Sequence, residues 1–286
     1  MVKTEFIERG SFSYPEKIER YAHRPGNLYI KGDLSLTEGT CLAVVGSRGC
    51  SSYGRAVATR IGRKCGELGI TLVSGLARGI DECGMRGALE AGGKVIAVLA
   101  SGTDVVYPRS NQRLQQQIAE EGLVLSEYPD GFKPRRYTFP QRNRIISALS
   151  EAVVVVEAGV KSGSLITAEC AAEQGKQVFA VPGNITSVMS LGCNRLISEG
   201  VMPVAVIDDI FTYMGFSMKG EENICATLGT DERKVFSVVK RYGETTVEEI
   251  SHITNIKPAI INGIITILEI KGLVFCEIGK ICIAKF

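Results

Sequence analysis

The segment Leu42–Ser47, LAVVGS, is a short, almost continuously apolar run that ends in a Gly-Ser turn. Six comparable runs follow it before residue 208, each separated from the next by a helical pattern or a turn: TLVSG, KVIAVLASG, LVLSE, AVVVVEAG, QVFAVPG and PVAVI. Strands that are apolar on both faces and alternate with helices are typical of a parallel sheet with helices on both sides. The sequence therefore predicts a doubly wound α/β domain, with a mostly parallel sheet, over residues 41–215.

Three shorter regions flank this domain. Residues 1–40 are too few for a separate domain, and we expect a lead-in helix and an edge strand there. Residues 216–229 fall in a polar segment with two glycines and predict a linker. Residues 230–286 carry three helical patterns and then two short strands about a Gly-Lys turn, which favours a small winged-helix-like domain.

The overall charge is nearly balanced. The chain of 286 residues has 33 Lys and Arg against 31 Asp and Glu, a net charge of +2, so affinity for nucleic acid would have to come from a local patch. One such patch exists, because the segment from Lys133 to Arg144 contains five cationic side chains and no acidic one. The charged N-terminus and the lack of an apolar run of about 18 residues predict a cytoplasmic protein with no membrane span.

Several classes of chemistry find no support in the sequence. Only two histidines are present, His23 and His252, and both lie outside the predicted α/β core, so histidine-based catalysis lacks a base. The glycines after the first strand match neither a dinucleotide fingerprint nor an ATP-binding P-loop. The nine cysteines show no metal-ligand spacing and favour reduced thiols. These patterns therefore predict neither an NTPase nor a cysteine metal site, and they point to no cofactor.

The polar residues instead cluster where strands end. Right-handed crossovers bring the carboxyl ends of parallel strands to one edge of the sheet, where such folds bind ligands. Gly46-Ser47-Arg48 follows the first strand, and Lys161-Ser162-Gly163-Ser164 opens the helix after the fifth. Both offer backbone amides and a cation, which suits a phosphate. Each alone is also compatible with an ordinary turn.

The basic segment reaches the same edge. It leads into a helix predicted to begin near Pro140, and it contains Arg135, Arg136, Arg142 and Arg144. Tyr137 and Phe139 lie between the cations, a pattern typical of surfaces on which unpaired bases stack. The alternative is structural: Phe139 packs the helix start onto the core, and one or two arginines pair with Glu127 or Glu151.

Together these motifs resemble the DNA-processing protein A (DprA, or Smf) family. The matching segments are VVGSR, SGLARGID, SEYP, FPQRNRIISALS, VVEAGVKSGSLITA, VFAVPGNI and GCNRLISEG. The resemblance implies a Rossmann-like domain that binds single-stranded DNA, forms a homodimer, protects incoming DNA and helps to load RecA in natural transformation. It also implies that no nucleotide hydrolysis and no metal are involved.

The resemblance also assigns residues. It implies a DNA pocket, to which the charge pattern adds Arg135, at Gly46, Ser47, Arg48, Arg136, Phe139, Arg142, Asn143, Arg144, Lys161, Ser162, Gly163 and Ser164. It implies a dimer and partner interface at Asn194, Leu196 and Ile197. The chain departs from the family in two ways: residues 1–40 leave no room for a small N-terminal helical domain, and Met85 stands where the family has a histidine. Asp81 remains, and we expect it to cap a helix or orient an arginine.

Two other readings stay open. Glu169 in SGSLITAE loosely resembles the glutamate of a motif in Rossmann-like phosphoribohydrolases, which would make the protein a nucleotide-binding enzyme. The winged-helix-like tail could bind duplex DNA, but the segment PAIINGIITILEI has only Asn262 and Glu269 as strongly polar side chains. A recognition helix needs polar groups that reach base edges, so we expect the tail to contribute little DNA affinity.

Overall fold

The computed structural model describes residues 2–21, 23–217, 228–271, 273–277 and 279–283. The chain divides into two compact units, Met1–Phe216 and Ser217–Phe286. The strands of the first unit are β1 Glu5–Ile7, β2 Leu28–Gly32, β3 Cys41–Val45, β4 Thr71–Ser74, β5 Val95–Leu99, β6 Leu123–Ser126, β7 Ala152–Val155, β8 Gln177–Ala180 and β9 Met202–Pro203. Its helices are α1 Glu16–Glu19, α2 Ser52–Glu67, α3 Ile80–Glu90, α4 Gln112–Glu121, α5 Thr138–Leu149, α6 Gly163–Glu173, α7 Leu191–Ser198 and α8 Ile207–Tyr213.

The strands form one nine-stranded sheet in the order β1-β2-β6-β5-β4-β3-β7-β8-β9. Every pairing among β3 to β9 is parallel, with Ala43 of β3 between Val73 of β4 and Val153 of β7. All five residues of β3 are buried, because helices cover both faces of the sheet. The prediction of a doubly wound, mostly parallel sheet is confirmed.

The N-terminal residues extend this sheet. β2 pairs antiparallel with β6, placing Ile30 beside Leu125, and β1 pairs antiparallel with β2 at the outer edge. Tyr14, which precedes α1, and Ile18, which belongs to α1, are buried in the same core as β2. The segment before residue 41 therefore supplies the last two strands at one side of the sheet, of which β1 is the edge strand, and a short helix.

One predicted boundary was wrong and one was confirmed. The last apolar run, PVAVI, forms a strand only at Met202–Pro203, because the Asp209 carboxylate accepts the backbone N–H of Val206 at 3.2 Å and starts α8. This side-chain contact is not encoded in an apolar pattern. Helix α5 begins at Thr138, near Pro140 as predicted, where the Thr138 hydroxyl donates to the carbonyl oxygen of Ala100 at 2.7 Å.

The second unit contains α9 Thr230–Tyr242, β10 Glu244–Thr245, α10 Val247–Thr254, α11 Pro258–Ile270, β11 Val274–Glu277 and β12 Lys280–Ile283. Its strands form an antiparallel sheet in the order β10-β12-β11. Ile261, Ile264 and Leu268 of α11 are buried in its core. The predicted three helices and hairpin are present, the winged-helix-like assignment stays a prediction, and residues 218–227 of the predicted linker lie outside the described residues.

Among the described residues, no single helix is both long and apolar enough to span a membrane. Helices α10 and α11 reach that length and apolar content only when they are taken together, and the chain bends by 111° between them.

Helices α2 and α3 are in backbone contact through glycines. A Cβ added at Gly62 would overlap the carbonyl oxygen of Gly84, and one added at Gly87 would overlap that of Thr59. This contact brings the start of α3 against the loop that follows β3, since the Ile80 N–H donates to the Ser47 carbonyl oxygen at 3.2 Å. The glycines therefore help to set the position of that loop.

We predict that Gly62→Ala lowers the free energy of unfolding by about 1–3 kcal/mol, because the overlapping atom belongs to a backbone that must move. Gly263→Ala is the matched control. Gly263 lies within α11 with no neighbour within 4 Å of an added Cβ, so alanine should stabilise that unit by about 0.5–1 kcal/mol. Equal effects of the two changes in chemical denaturation would contradict the contact.

Candidate nucleic-acid interface

The candidate site runs along the carboxyl ends of β5, β4 and β3 and reaches the point where the strand order reverses, between β3 and β7. In open α/β sheets the crevice outside the strand ends at this point is the usual ligand site. The Ser47 N–H donates to the Glu157 carbonyl oxygen at 2.7 Å and so joins the segments that follow the two strands. A Cβ at Gly46 would lie 2.6 Å from Ile80 Cγ1 and 2.9 Å from the same carbonyl oxygen, so this turn requires glycine.

Glu157 is a buried residue to which the sequence analysis assigned no role. Its carboxylate accepts the backbone N–H of Ser51 at 2.8 Å and the Ser51 hydroxyl at 2.5 Å. Ser51 is the residue that caps the N-terminus of α2, where a negative charge is favourable. An acidic residue directly after an apolar strand is the sequence signal that could have identified Glu157.

Phe139 forms the centre of a small pocket. The Arg48 guanidinium lies 4.8 Å from the Phe139 ring centroid, within the range of a cation–π contact, and the Tyr107 ring lies 5.7 Å away at 52°. Gly75, Ala77, Arg78, Pro108 and Arg142 complete the lining. Phe139 is half-buried and lines the pocket, so it both packs at the helix start and offers part of its ring to a ligand.

The loop before α5 leaves two predicted arginines in solvent. Arg135 and Arg136 are exposed, as is Arg48. The Arg135 guanidinium lies 5.6 Å from the ring centroid of Phe132, and the neighbouring ring of Tyr137 is 51% exposed. Cations and aromatic rings therefore alternate along the surface beside the pocket.

Arg142 turns inward. Its side chain donates to the carbonyl oxygen of Gly75 at 2.7 Å and to that of Val98, at the ends of β4 and β5. Burial lowers the pKa of Arg142 to about 10, although the charge of Asp81 acts in the opposite direction. Arg142 thus forms the floor of the pocket rather than part of its exposed surface.

Asp81 supports the same floor from the first turn of α3. Its carboxylate accepts the backbone N–H of Gly75 at 3.1 Å and that of Ala77 at 3.4 Å. Burial raises the pKa of this carboxyl, and the positive charge of Arg142 opposes that rise. Met85, which stands in place of the family histidine, is fully buried one turn further along α3.

Arg144 faces a different part of the unit. It forms an ion pair with Glu127, with Nη2 and Oε2 separated by 2.5 Å, and it lines a second pocket with residues of the lead-in segment. The alternative in which an arginine pairs with Glu127 therefore holds for Arg144. Glu151 pairs with Lys17 at 2.7 Å instead of with an arginine.

The start of α6 lies next to α5. Asn143 donates from Nδ2 to the Gly163 carbonyl oxygen at 3.0 Å and joins the two helices. Ser162 caps α6 and its hydroxyl lies 2.8 Å from that of Ser164, while Lys161 is exposed. The positive end of the α6 dipole and a lysine therefore lie beside the middle of α5, at Asn143.

The predicted interface residues make contacts within the chain. Asn194 accepts the Gly183 N–H at 3.1 Å and donates to the Gly183 carbonyl oxygen at 2.9 Å. Leu196 and Ile197 are half-buried and pack against the core beside the sheet. Glu169, the residue on which the enzyme alternative depends, is exposed on α6.

The family of the chain follows from comparison with known proteins. The model of the family described as DNA recombination-mediator protein A matches residues 5–215. The chain belongs to the DprA/Smf family. DNA processing protein DprA of Streptococcus pneumoniae is 44% identical over 217 residues, which cover 74% of this chain and 77% of that protein. Protein Smf of Escherichia coli is 42% identical over 213 residues, which cover 74% of this chain and 57% of that protein.

Solved structures of DprA proteins share the fold. The X-ray structure of the Streptococcus pneumoniae protein aligns with a TM-score of 0.70 at 42% identity, covering 73% of this chain and 74% of that one. A Helicobacter pylori DprA structure, described as having a unique single-stranded DNA binding mode, aligns with a TM-score of 0.68 at 29% identity, covering 74% of this chain and 96% of that one. The predicted family is therefore confirmed for the α/β unit.

The inward position of Arg142 generates a prediction. Arg142→Met should lower the free energy of unfolding by about 1–3 kcal/mol or more, because the carbonyl groups of Gly75 and Val98 lose their buried donor. Chemical denaturation measures this loss. A variant with unchanged stability and lost DNA affinity would show instead that the guanidinium contacts DNA directly.

Proposed function

We propose that this protein binds single-stranded DNA, protects it and helps to load RecA onto it during natural transformation. It acts as a cytoplasmic DNA-binding protein and not as an enzyme, and its binding uses neither a cofactor nor a metal. Support comes from membership of a family whose relatives are named as DNA processing proteins, and from the DNA-binding Helicobacter pylori relative.

The observation that carries the proposal is the contact of Arg48 with Phe139 at the ligand edge of the sheet. A guanidinium that lies over a half-buried ring places a cation for a phosphate next to an aromatic surface for a base. The exposed Arg135, Arg136 and Lys161 extend the positive surface. Stacking tolerates any base, so we expect binding with little sequence preference.

We predict that Arg48→Glu and Arg136→Glu each weaken binding to oligo-dT and lower its salt dependence. Each phosphate contact on a single strand contributes about 0.7 to the slope of log K against log salt concentration. The slope should therefore fall by about that amount or more. Fluorescence anisotropy with labelled oligo-dT at several salt concentrations measures both quantities, and a duplex of equal length should bind more weakly.

Arg63→Glu is the matched control. Arg63 lies near the C-terminal end of α2, which points away from the ligand edge, and its side chain is 56% exposed beside Glu90. This charge reversal should leave the slope unchanged. If all three reversals weaken binding equally, the effect comes from net charge, and the proposed site is wrong.

The proposal includes a homodimer that contacts RecA through α7. Leu196 and Ile197 bury part of their surface in the core and leave the rest at the surface of α7. We predict that Ile197→Asp gives monomers in analytical ultracentrifugation at low micromolar concentration, because an unpaired charge is costly in an apolar interface. RecA filament assembly on single-stranded DNA should slow in the same variant.

Thermal unfolding separates an interface effect from a core effect. Loss of a stable dimer should lower the apparent stability at equal subunit concentration. A monomeric variant that unfolds at the same temperature as the wild-type protein would therefore contradict the proposed stable dimer. If the variant remains dimeric but unfolds at a lower temperature, Ile197 is a core residue and not an interface residue. That result would move the interface elsewhere.

A further inference from the structure

The loop from Gly183 to Ser190, between β8 and α7, is held in place by its own hydrogen bonds. The Asn184 side chain accepts from the backbone N–H and the hydroxyl of Thr186 at 3.0 and 2.8 Å. The Ser187 N–H donates to the Asn184 carbonyl oxygen, and the Ser190 N–H donates to that of Ser187. Two consecutive turns of this kind hold the backbone of the loop in one conformation.

This loop crosses the point where the strand order reverses. The Ser47 hydroxyl lies 3.5 Å from Met189 Sδ, which joins the loop to the turn after β3. On the other side, a Cβ at Gly159 would lie 3.5 Å from the Val188 carbonyl oxygen, beside the segment after β7. The loop therefore lies between the turn after β3, which carries Arg48, and the segment after β7.

The loop exposes apolar side chains. Ile185 is 81% exposed and Val188 is 68% exposed, and Val160, on the neighbouring segment after β7, is 50% exposed. Single exposed apolar residues are normal on protein surfaces, whereas apolar patches mark interaction sites. These three side chains lie on two segments that approach each other at Val188 and Gly159.

Charge defines the partner that fits this surface. Arg48 lies one residue after Ser47, Lys161 lies one residue after Val160, and the start of α6 follows directly. Cations beside apolar groups suit a polymer that has phosphates along one side and unpaired bases along the other. A duplex would turn its bases away from such a surface.

We propose that Ile185 and Val188 form a second base-contacting surface, on which the bases of a single strand pack after they leave the Phe139 pocket. The inference rests on the proposed function and deepens it. The strand passes from Phe139 along Arg48 to the 183–190 loop, with its phosphates towards Arg48 and Lys161. Because the loop is already ordered by its own bonds, binding costs little further conformational entropy.

The test compares a normal oligonucleotide with one that lacks bases. The double variant Ile185→Ser/Val188→Ser should lose at least about fivefold in affinity for oligo-dT and keep its affinity for an abasic oligonucleotide of equal length. Both side chains are mostly exposed, so the fold should be retained. Ile270→Ser is the matched control, since Ile270 is 82% exposed in the second unit, and it should change neither affinity.

The outcomes separate the inference from the proposed function. If the wild-type protein fails to bind oligo-dT, the proposed function and the inference both fall. If the wild-type protein binds, Arg48→Glu loses affinity and the double variant does not, only the inference is overturned. Equal losses on both oligonucleotides also overturn it. A double variant that turns from dimer to monomer in ultracentrifugation assigns the loop to contacts between copies of the chain instead.

Discussion

The site depends on one buried cation. Arg142 donates to the carbonyl oxygens of Gly75 and Val98 and so closes the ends of β4 and β5. Removing a guanidinium from water is costly, and these hydrogen bonds together with the nearby Asp81 charge offset the cost. Because Arg142 belongs to α5, its fixed position also fixes the first turn of that helix, where the Phe139 ring contacts Arg48. The exposed surface is therefore built on a buried polar contact.

The basic segment serves three different purposes with similar side chains. Arg135 and Arg136 remain in solvent, Arg142 supports the pocket floor, and Arg144 pairs with Glu127 on another side of α5. Arg135 and Arg136, together with the exposed Lys133 of the same segment, contribute most directly to the surface potential. In a chain with a net charge of +2, such a local arrangement suits steering of a polyanion without unspecific attraction over the whole surface.

The sequence predicts most of the sheet and less of the site. The apolar runs identify β3 to β8 because strands buried on both faces must be apolar. The sequence assigned Arg142 to DNA contact, although its position three, four and seven residues before Ile145, Ile146 and Leu149 places it on the buried face of α5. An acidic residue after an apolar strand marks Glu157, but neither its partner Ser51 nor the contact between Ser47 and Met189 could be predicted, because these contacts join segments distant in sequence.

Photo-crosslinking tests the central claim most directly. An oligo-dT that contains 5-iododeoxyuridine is irradiated with the full-length protein, and the linked peptides are identified by mass spectrometry. The proposed binding surface predicts crosslinks at Phe139 or Tyr107, which Arg48→Glu should reduce. Crosslinks confined to residues 228–283 would contradict it, since they would place the DNA on the second unit.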